Sequence, residues 1–454
     1  MIYFLLMIEV FLLLLALKFE KGDILAPSVI VCMVWILSTL CAVYNIDNWQ
    51  IQMHFNTVFS ILLGLSVFIF TAELYSILPK VKIVNNKRKK TTNLFYNKSK
   101  VMNIFLPALI LMIALNTITI YMQYRWLVSI SGNLSTWIEM MADYRNTSST
   151  WSTDSITKSS LLSNLESLLK ASAYVTSYVG INNLVLKKVG FKEILCFVPG
   201  ALYIIDRLLN AGRGDILLYF AAVALCIYIS LQKKYNWTKK ISKKFVRVLL
   251  IGIVSVLALF SSARSLVGRL NTLDTMDYIT YYVGGSVQNF DLFMQDTVKD
   301  VHLFGEETFS TLINYLGKTF NIQDWIYIHH LEFRVYHGIS TGNVYGAFRY
   351  YIYDFGYIGL IILTAIVAVF YSVQYCSIKK DMHIQQDGFS WKMFIYILWA
   401  PSLFMFSIAE YTYSMVLNIV GNIRFFIFAW IIKYIIIDIA FQNSRIYYKK
   451  IFKS

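Results

Sequence analysis

The chain reads as an all-α, polytopic integral membrane protein: a single transmembrane domain, 1–454, with one long extracytoplasmic loop, 264–355. Three observations point there. The 454 residues are 57% hydrophobic and only 15% charged, against roughly 25% charged in a soluble domain. The apolar residues come in continuous blocks of about 20, the length that spans a bilayer, not in the alternating pattern of a membrane barrel. The lysines cluster in short stretches between those blocks, as cytoplasmic loops do. The net charge of +15 therefore reports membrane topology, and no nucleic-acid partner is expected. The five cysteines lie in or beside apolar blocks, with no spacing that suggests a metal site or a disulfide framework.

The block at 1–17 has no basic region before it, so it reads as a retained span, not a cleaved signal. Blocks at 24–44, 55–78 and 101–122 follow. The block at 160–186 is the weakest, because it holds Glu166 and Lys170. Three more lie at 193–212, 214–231 and 247–263, and the last three at 356–376, 393–414 and 417–441. That makes about eleven spans, all helical, since the bilayer core offers no water to satisfy an open backbone.

Orientation follows from lysine and arginine placement. The stretch after the third span carries Lys80 through Lys100, and no acid occurs between Glu73 and Glu139. The stretch after the seventh carries Lys233 through Arg247, again without an acid. With eleven spans, these basic stretches fall on one side together with Lys379, Lys380, Lys449 and Lys450. The N-terminus is then expected outside and the C-terminus in the cytoplasm. Residues 264–355 lie outside, with ten acids against six Lys/Arg. Within them, "ETFSTLINYLGKTFNI" reads as a short helix with one apolar face.

Arginine breaks the pattern that lysine follows. Of twelve, nine fall at or near the outer face, and only Arg88, Arg247 and Arg445 are clearly cytoplasmic. The bland account is local pairing: Arg207 with Asp206, Arg334 with Glu332, Arg349 with Asp354. The functional account is a cleft for a di-anion, because guanidinium is planar, permanently charged and bidentate toward phosphate. Arg213, Arg264, Arg269, Arg349 and Arg424 are the candidates for such a lining. A polyprenyl diphosphate, with its tail in the membrane, has the matching form. In "NAGRGDILL" (210–218), glycines flank Arg213 and let backbone approach a ligand closely.

Four stretches resemble the bacterial oligosaccharide repeat unit polymerases, the O-antigen and capsule polymerases of the Wzy type. They are "GRGD" (212–215), "YYVGGSVQNFDLFM" (281–294), "TFSTLINYLGKTFNI" (308–322) and "GNVYGAFRYYIYDFGYIGLIIL" (342–363). The resemblance covers roughly residues 200–365. It implies a membrane glycosyltransferase, with a glycosyltransferase C-like fold by analogy, in the bacterial inner membrane. Such an enzyme moves a growing glycan from polyprenyl diphosphate to the terminal sugar of an incoming lipid-linked repeat on the outer face. The implied partners are that lipid-linked oligosaccharide, the bilayer, a chain-length regulator and a flippase. No cofactor is implied.

A diphosphate is a good leaving group, so the chemistry needs stabilised negative charge, a positioned hydroxyl and a base. Arg213 is the catalytic arginine expected. His337 and Asp354 are the alternative bases; a capping or pairing role is the other reading of Asp354, and a solvated loop residue that of His337. Tyr281 and Tyr282 are candidates to stack on sugars, and Asn343 and Tyr345 flank Arg349 as candidate contacts. His329, His330, Glu332 and His337 match no metal-ligand pattern, and no metal is expected. Two rival functions remain open: a flippase or transporter of the same lipid-linked oligosaccharide, and an O-antigen ligase-like transferase.

Overall fold

A computed structural model describes residues 1–77, 100–131, 136–149, 158–187, 189–235, 274–296, 301–327, 331–380 and 387–440, with isolated positions between 237 and 266 and at 442–443. In chain order its main elements begin with α1 (Ile2–Phe19), α2 (Pro27–Tyr44), α3 (Phe55–Ile77) and α4 (Leu106–Ser131). Next come α5 (Trp137–Ser149), α6 (Ser160–Leu186), α7 (Val198–Leu209) and α8 (Arg213–Lys234). Then follow α9 (Thr275–Gln295), α10 (Ser310–Phe320) and a hairpin of β1 (Arg334–Tyr336) with β2 (Ile339–Gly342). The last are α11 (Ala347–Lys380), α12 (Trp391–Trp399) and α13 (Ile419–Lys433).

The architecture is helical, and seven of the described helices are long and apolar enough to cross a bilayer: α1 to α4, α8, α11 and α13, the last counted with the π-helical turn that extends it to Asp438. The chain is a multi-pass membrane protein. Three expected spans take other forms, and a fourth, 247–263, lies almost entirely outside the described residues. Residues 160–186 form a helix, but not an apolar one. Residues 193–212 are interrupted at Cys196–Phe197, and α7 starts afresh with Pro199 in its first turn, where a missing N–H costs nothing. In residues 393–414 the first α-helix ends at Trp399; a 3₁₀ segment, Ala400–Met405, carries Pro401, which cannot donate to a continuing α-helix, and α-helix resumes only in the short Thr412–Val416.

The chain divides into two compact units. The first comprises 1–97, 276–382 and 399–418. In it, α1 packs on α2, and α3 runs along α11. Trp35 of α2 stacks on Phe348 of α11, with ring centroids 5.0 Å apart. The helix α9 falls within the expected outer loop, yet every residue from Val283 to Asp291 is buried. Its glycines explain how backbone reaches it: a Cβ on Gly284 would lie 2.7 Å from the Ala42 nitrogen, and one on Gly285 would lie 2.8 Å from the Thr341 carbonyl oxygen. Asn289 completes that contact by donating to the carbonyls of Thr341, Gly342 and Val344 at 3.0, 3.2 and 3.1 Å. Helix α11 begins at Ala347, earlier than expected, and breaks at Gly356, whose φ of 64° and ψ of −155° belong to glycine.

The second unit comprises 98–275, 383–398 and 419–454. Helix α6 is its centre, packed by α4, α7, α8 and α13 and buried continuously from Ala171 to Asn183. Its polar side chains are met inside: Asn116 donates to Ser172 at 2.7 Å, Ser177 bonds the Tyr219 hydroxyl at 2.6 Å, and Asn183 accepts from the Met102 N–H at 2.8 Å. A helix enclosed by other helices has no lipid to face, so it does not need an apolar surface. The amphipathic α5 lays Met140, Met141 and Tyr144 against Leu127 and Leu209.

Candidate functional site

In the first unit the ionisable groups gather around the start of α11. Arg349 sits in its first turn, only 4% exposed, ion-paired with the equally buried Glu307. Aromatic rings enclose the guanidinium: its carbon is 4.8 Å from the Phe293 ring centroid and 5.0 Å from those of Tyr345 and Tyr353. A buried charge of this kind persists only when paired.

Glu307 is presented by a turn stitched from two sides. Glu306 accepts the N–H groups of His302 and Leu303 at 3.1 and 3.0 Å, and the Tyr353 hydroxyl donates to it at 2.7 Å. Asp354 accepts the N–H groups of Glu307 and Thr308 at 3.2 and 2.7 Å. The expected Arg349–Asp354 pair is therefore replaced. Asp354 points at backbone amides 46 and 47 positions away in the chain, and Glu307 takes the guanidinium.

Beside this pair, Arg334 of β1 holds Asp296 through both ends of its fork, at 3.1 and 2.5 Å, and reaches Glu332 at 2.6 Å. The Tyr345 hydroxyl accepts from Arg334 Nε at 3.0 Å and donates to the Glu332 carbonyl at 3.0 Å. Burial draws the Arg334 pKa down, but the hydrogen bonds to Asp296 and Tyr345 outweigh it, and the net shift is upward. Burial also raises the Tyr345 phenol, with Arg334 opposing. Tyr345 is fully buried, so its ring serves Arg349 and leaves no face for a sugar.

The other residues singled out from the sequence are placed variously. His337 and Gly338 form the hairpin tip, with φ of 48° and 77°, the positive pair that a type I′ turn requires. His337 is exposed there, its ring 4.2 Å from that of Tyr336. Tyr281 and Tyr282 are half-buried near the start of α9, Tyr281 reaching Ser340 at 3.5 Å and Tyr282 lying against Tyr278. Asn343 is half-buried between β2 and α11. The structure thus brings Arg349, Tyr345 and Asp354 together and leaves His337 at a turn.

Arg213, Arg264 and Arg424 belong to the second unit. Arg213 is the first residue of α8 and buried; Arg264 is half-buried in a turn; Arg424 is half-buried in α13. Arg269 lies outside the described residues. The second unit has its own charge cluster. Arg207 pairs directly with Asp206, as expected, and lies 3.5 Å from Asp215 and 3.9 Å from Glu166. Lys158 meets Glu166 at 2.6 Å, and burial lowers its pKa.

Sequence reading missed Glu306, Glu307 and Asp296 as members of the first cluster. The only signal was their acidity within a net acidic segment, which does not say which arginine each would meet. No protein-family model, curated protein or solved structure matches the chain.

Proposed function

We propose that this chain is a membrane glycosyltransferase that polymerises lipid-diphosphate-linked oligosaccharide repeats on the outer face of a bacterial cytoplasmic membrane. The observation that carries the reading is the enclosed guanidinium of Arg349. It stands where a bilayer-length helix begins, within the stretch of strongest sequence resemblance, next to a second arginine on the β-hairpin. A fixed guanidinium in a partly dry site is what a departing diphosphate needs as its charge develops. In this reading the diphosphate competes with Glu307 for Arg349, and the lipid tail enters the bilayer beside α11. Arg213, Arg264 and Arg424 are further candidates to hold phosphate, and Tyr281, Tyr282 and Asn343 to contact sugar. No nucleotide-binding loop is legible on the lysine-rich side, which agrees with a lipid-linked donor.

Deleting the gene and following the lipid-linked glycan tests the reading. A polymerase leaves single repeats, still on lipid, on the outer face. Repeats trapped on the inner face mean a flippase instead, and long chains retained on lipid mean a ligase.

A further inference from the structure

We propose that His54, oriented by Asp291, is the general base that takes the proton from the acceptor hydroxyl; the inference rests on the transferase reading above. His54 immediately precedes α3 and Asp291 lies on α9, 237 positions away. The His54 Nδ1 is 2.8 Å from Asp291 Oδ2, while Oδ1 accepts the His54 backbone N–H at 2.9 Å and the Thr57 hydroxyl at 2.6 Å. In the neutral imidazole, with Nδ1–H donating to the carboxylate, Nε2 keeps its lone pair. The Asp291 side chain is 1% exposed and that of His54 is 49% exposed. The carboxylate is thus sealed in the fold, with half of the imidazole open to a substrate. A base held in one tautomer by a buried acid is the arrangement that makes histidine an efficient proton acceptor.

A purely structural role explains part of this arrangement. The backbone N–H and the Thr57 hydroxyl already tie the start of α3 to α9. The third bond, to the ring, strengthens that tie and also aims the imidazole. Two contacts tie the helices that carry the pair to Arg349 and to its helix, Phe293 from a different side of α9 than Asp291. Phe293, on the same helix as Asp291, is the ring 4.8 Å from the guanidinium. Phe59 and Ser60, in the first turns of α3, meet Tyr357 just past the break in α11, with ring centroids 5.8 Å and hydroxyls 3.4 Å apart. Among the described residues Asp291 is the carboxylate at this imidazole, whereas no carboxylate orients His337.

In the step so assigned, the acceptor hydroxyl oxygen bonds to the anomeric carbon. The bond from that carbon to the diphosphate oxygen breaks, and its electron pair leaves with the lipid diphosphate. The hydroxyl proton moves to Nε2 of His54 and from there to water.

The test uses the full chain in liposomes, with the lipid-linked repeat extracted from a deletion strain as substrate. His54→Ala is expected to lower kcat by about 10²–10⁴-fold, the usual reach of a general base, with KM unchanged and with partial recovery when free imidazole is added. Asp291→Asn lowers kcat less and gains nothing from imidazole, because the ring is present but misdirected. Thr57→Val, which removes one hydrogen bond from the tie, sets the fall in thermal unfolding that a loosened helix start alone produces. A fully active His54→Ala overturns the base role alone. So does a His54→Ala that loses kcat without imidazole rescue while its thermal unfolding falls as far as that of Thr57→Val. A wild-type chain that extends no lipid-linked repeat overturns the transferase reading itself, and the base role with it.

Discussion

Replacing Glu307 with glutamine leaves Arg349 charged, enclosed by Phe293, Tyr345 and Tyr353, and without its ion partner. Breaking a buried pair from one side typically costs about 3–5 kcal/mol. Glu307→Gln should lower thermal unfolding in detergent by an amount of that order, and the double replacement Glu307→Met with Arg349→Met should recover much of it. A single variant no less stable than wild type would show that the pair carries no such cost. Arg349→Lys separates stability from chemistry. It keeps the charge but not the planar fork, so the fold should hold while polymer formation drops by about tenfold or more, the equivalent of one charge-assisted hydrogen bond. Undiminished polymer from Arg349→Lys would remove this residue from the diphosphate site. Arg334 differs from Arg349 in being satisfied three ways, by Asp296, Glu332 and Tyr345. Its role reads as bracing the hairpin against α9.

At the scale of elements, α9 and α11 set the site, and glycines set both. Gly284→Ala would push a methyl group against the backbone of α2 at 2.7 Å. Overpacking of that kind costs about 1–3 kcal/mol, and here rigid backbone has to move. Gly356→Ala meets open space yet forces a side chain into a backbone region that costs about 1–3 kcal/mol. The expected result is loss of stability in both variants, read as thermal unfolding, with Gly356→Ala also disturbing polymer formation through Tyr353 and Asp354. A Gly356→Ala protein of wild-type stability would mean that the break in α11 relaxes without cost. These helices also show where sequence reading stops. Hydropathy finds α1, α2 and α3 within a few residues, and α4 with its end placed nine residues short, because a helix that faces lipid must be apolar. It understates α6 and does not single out α9 within 264–355, because their buried surroundings accept serine, asparagine and aspartate when each is hydrogen-bonded. The expected helix within 308–322 appears as α10, and its one-sided pattern was legible because one face is open.

For the whole molecule, the proposed topology puts the hairpin tip and the lysine-rich stretch after α8 on opposite sides of the membrane. With the native cysteines replaced, a cysteine at His337 should react with an impermeant maleimide in intact cells, and one at Tyr235 only after permeabilisation. The reverse pattern would invert the proposal, and with it the side on which any transfer occurs. By itself the amino-acid sequence settled the membrane character, the lipid-facing helices and the uneven placement of lysine and arginine. Each of these follows from local composition, since the bilayer and the cytoplasmic face act on every short stretch independently. The neighbouring pairs Arg207–Asp206 and Arg334–Glu332 were legible in the sequence, but the long-range partners of the charged groups were decided by tertiary structure alone. Asp354 holds the 304–309 turn and does not pair with Arg349, Glu307 takes Arg349 in its place, and Asp291 finds His54 across 237 positions of chain. Pairing of buried charges depends on which helices enclose them, and no local pattern in the sequence records that enclosure.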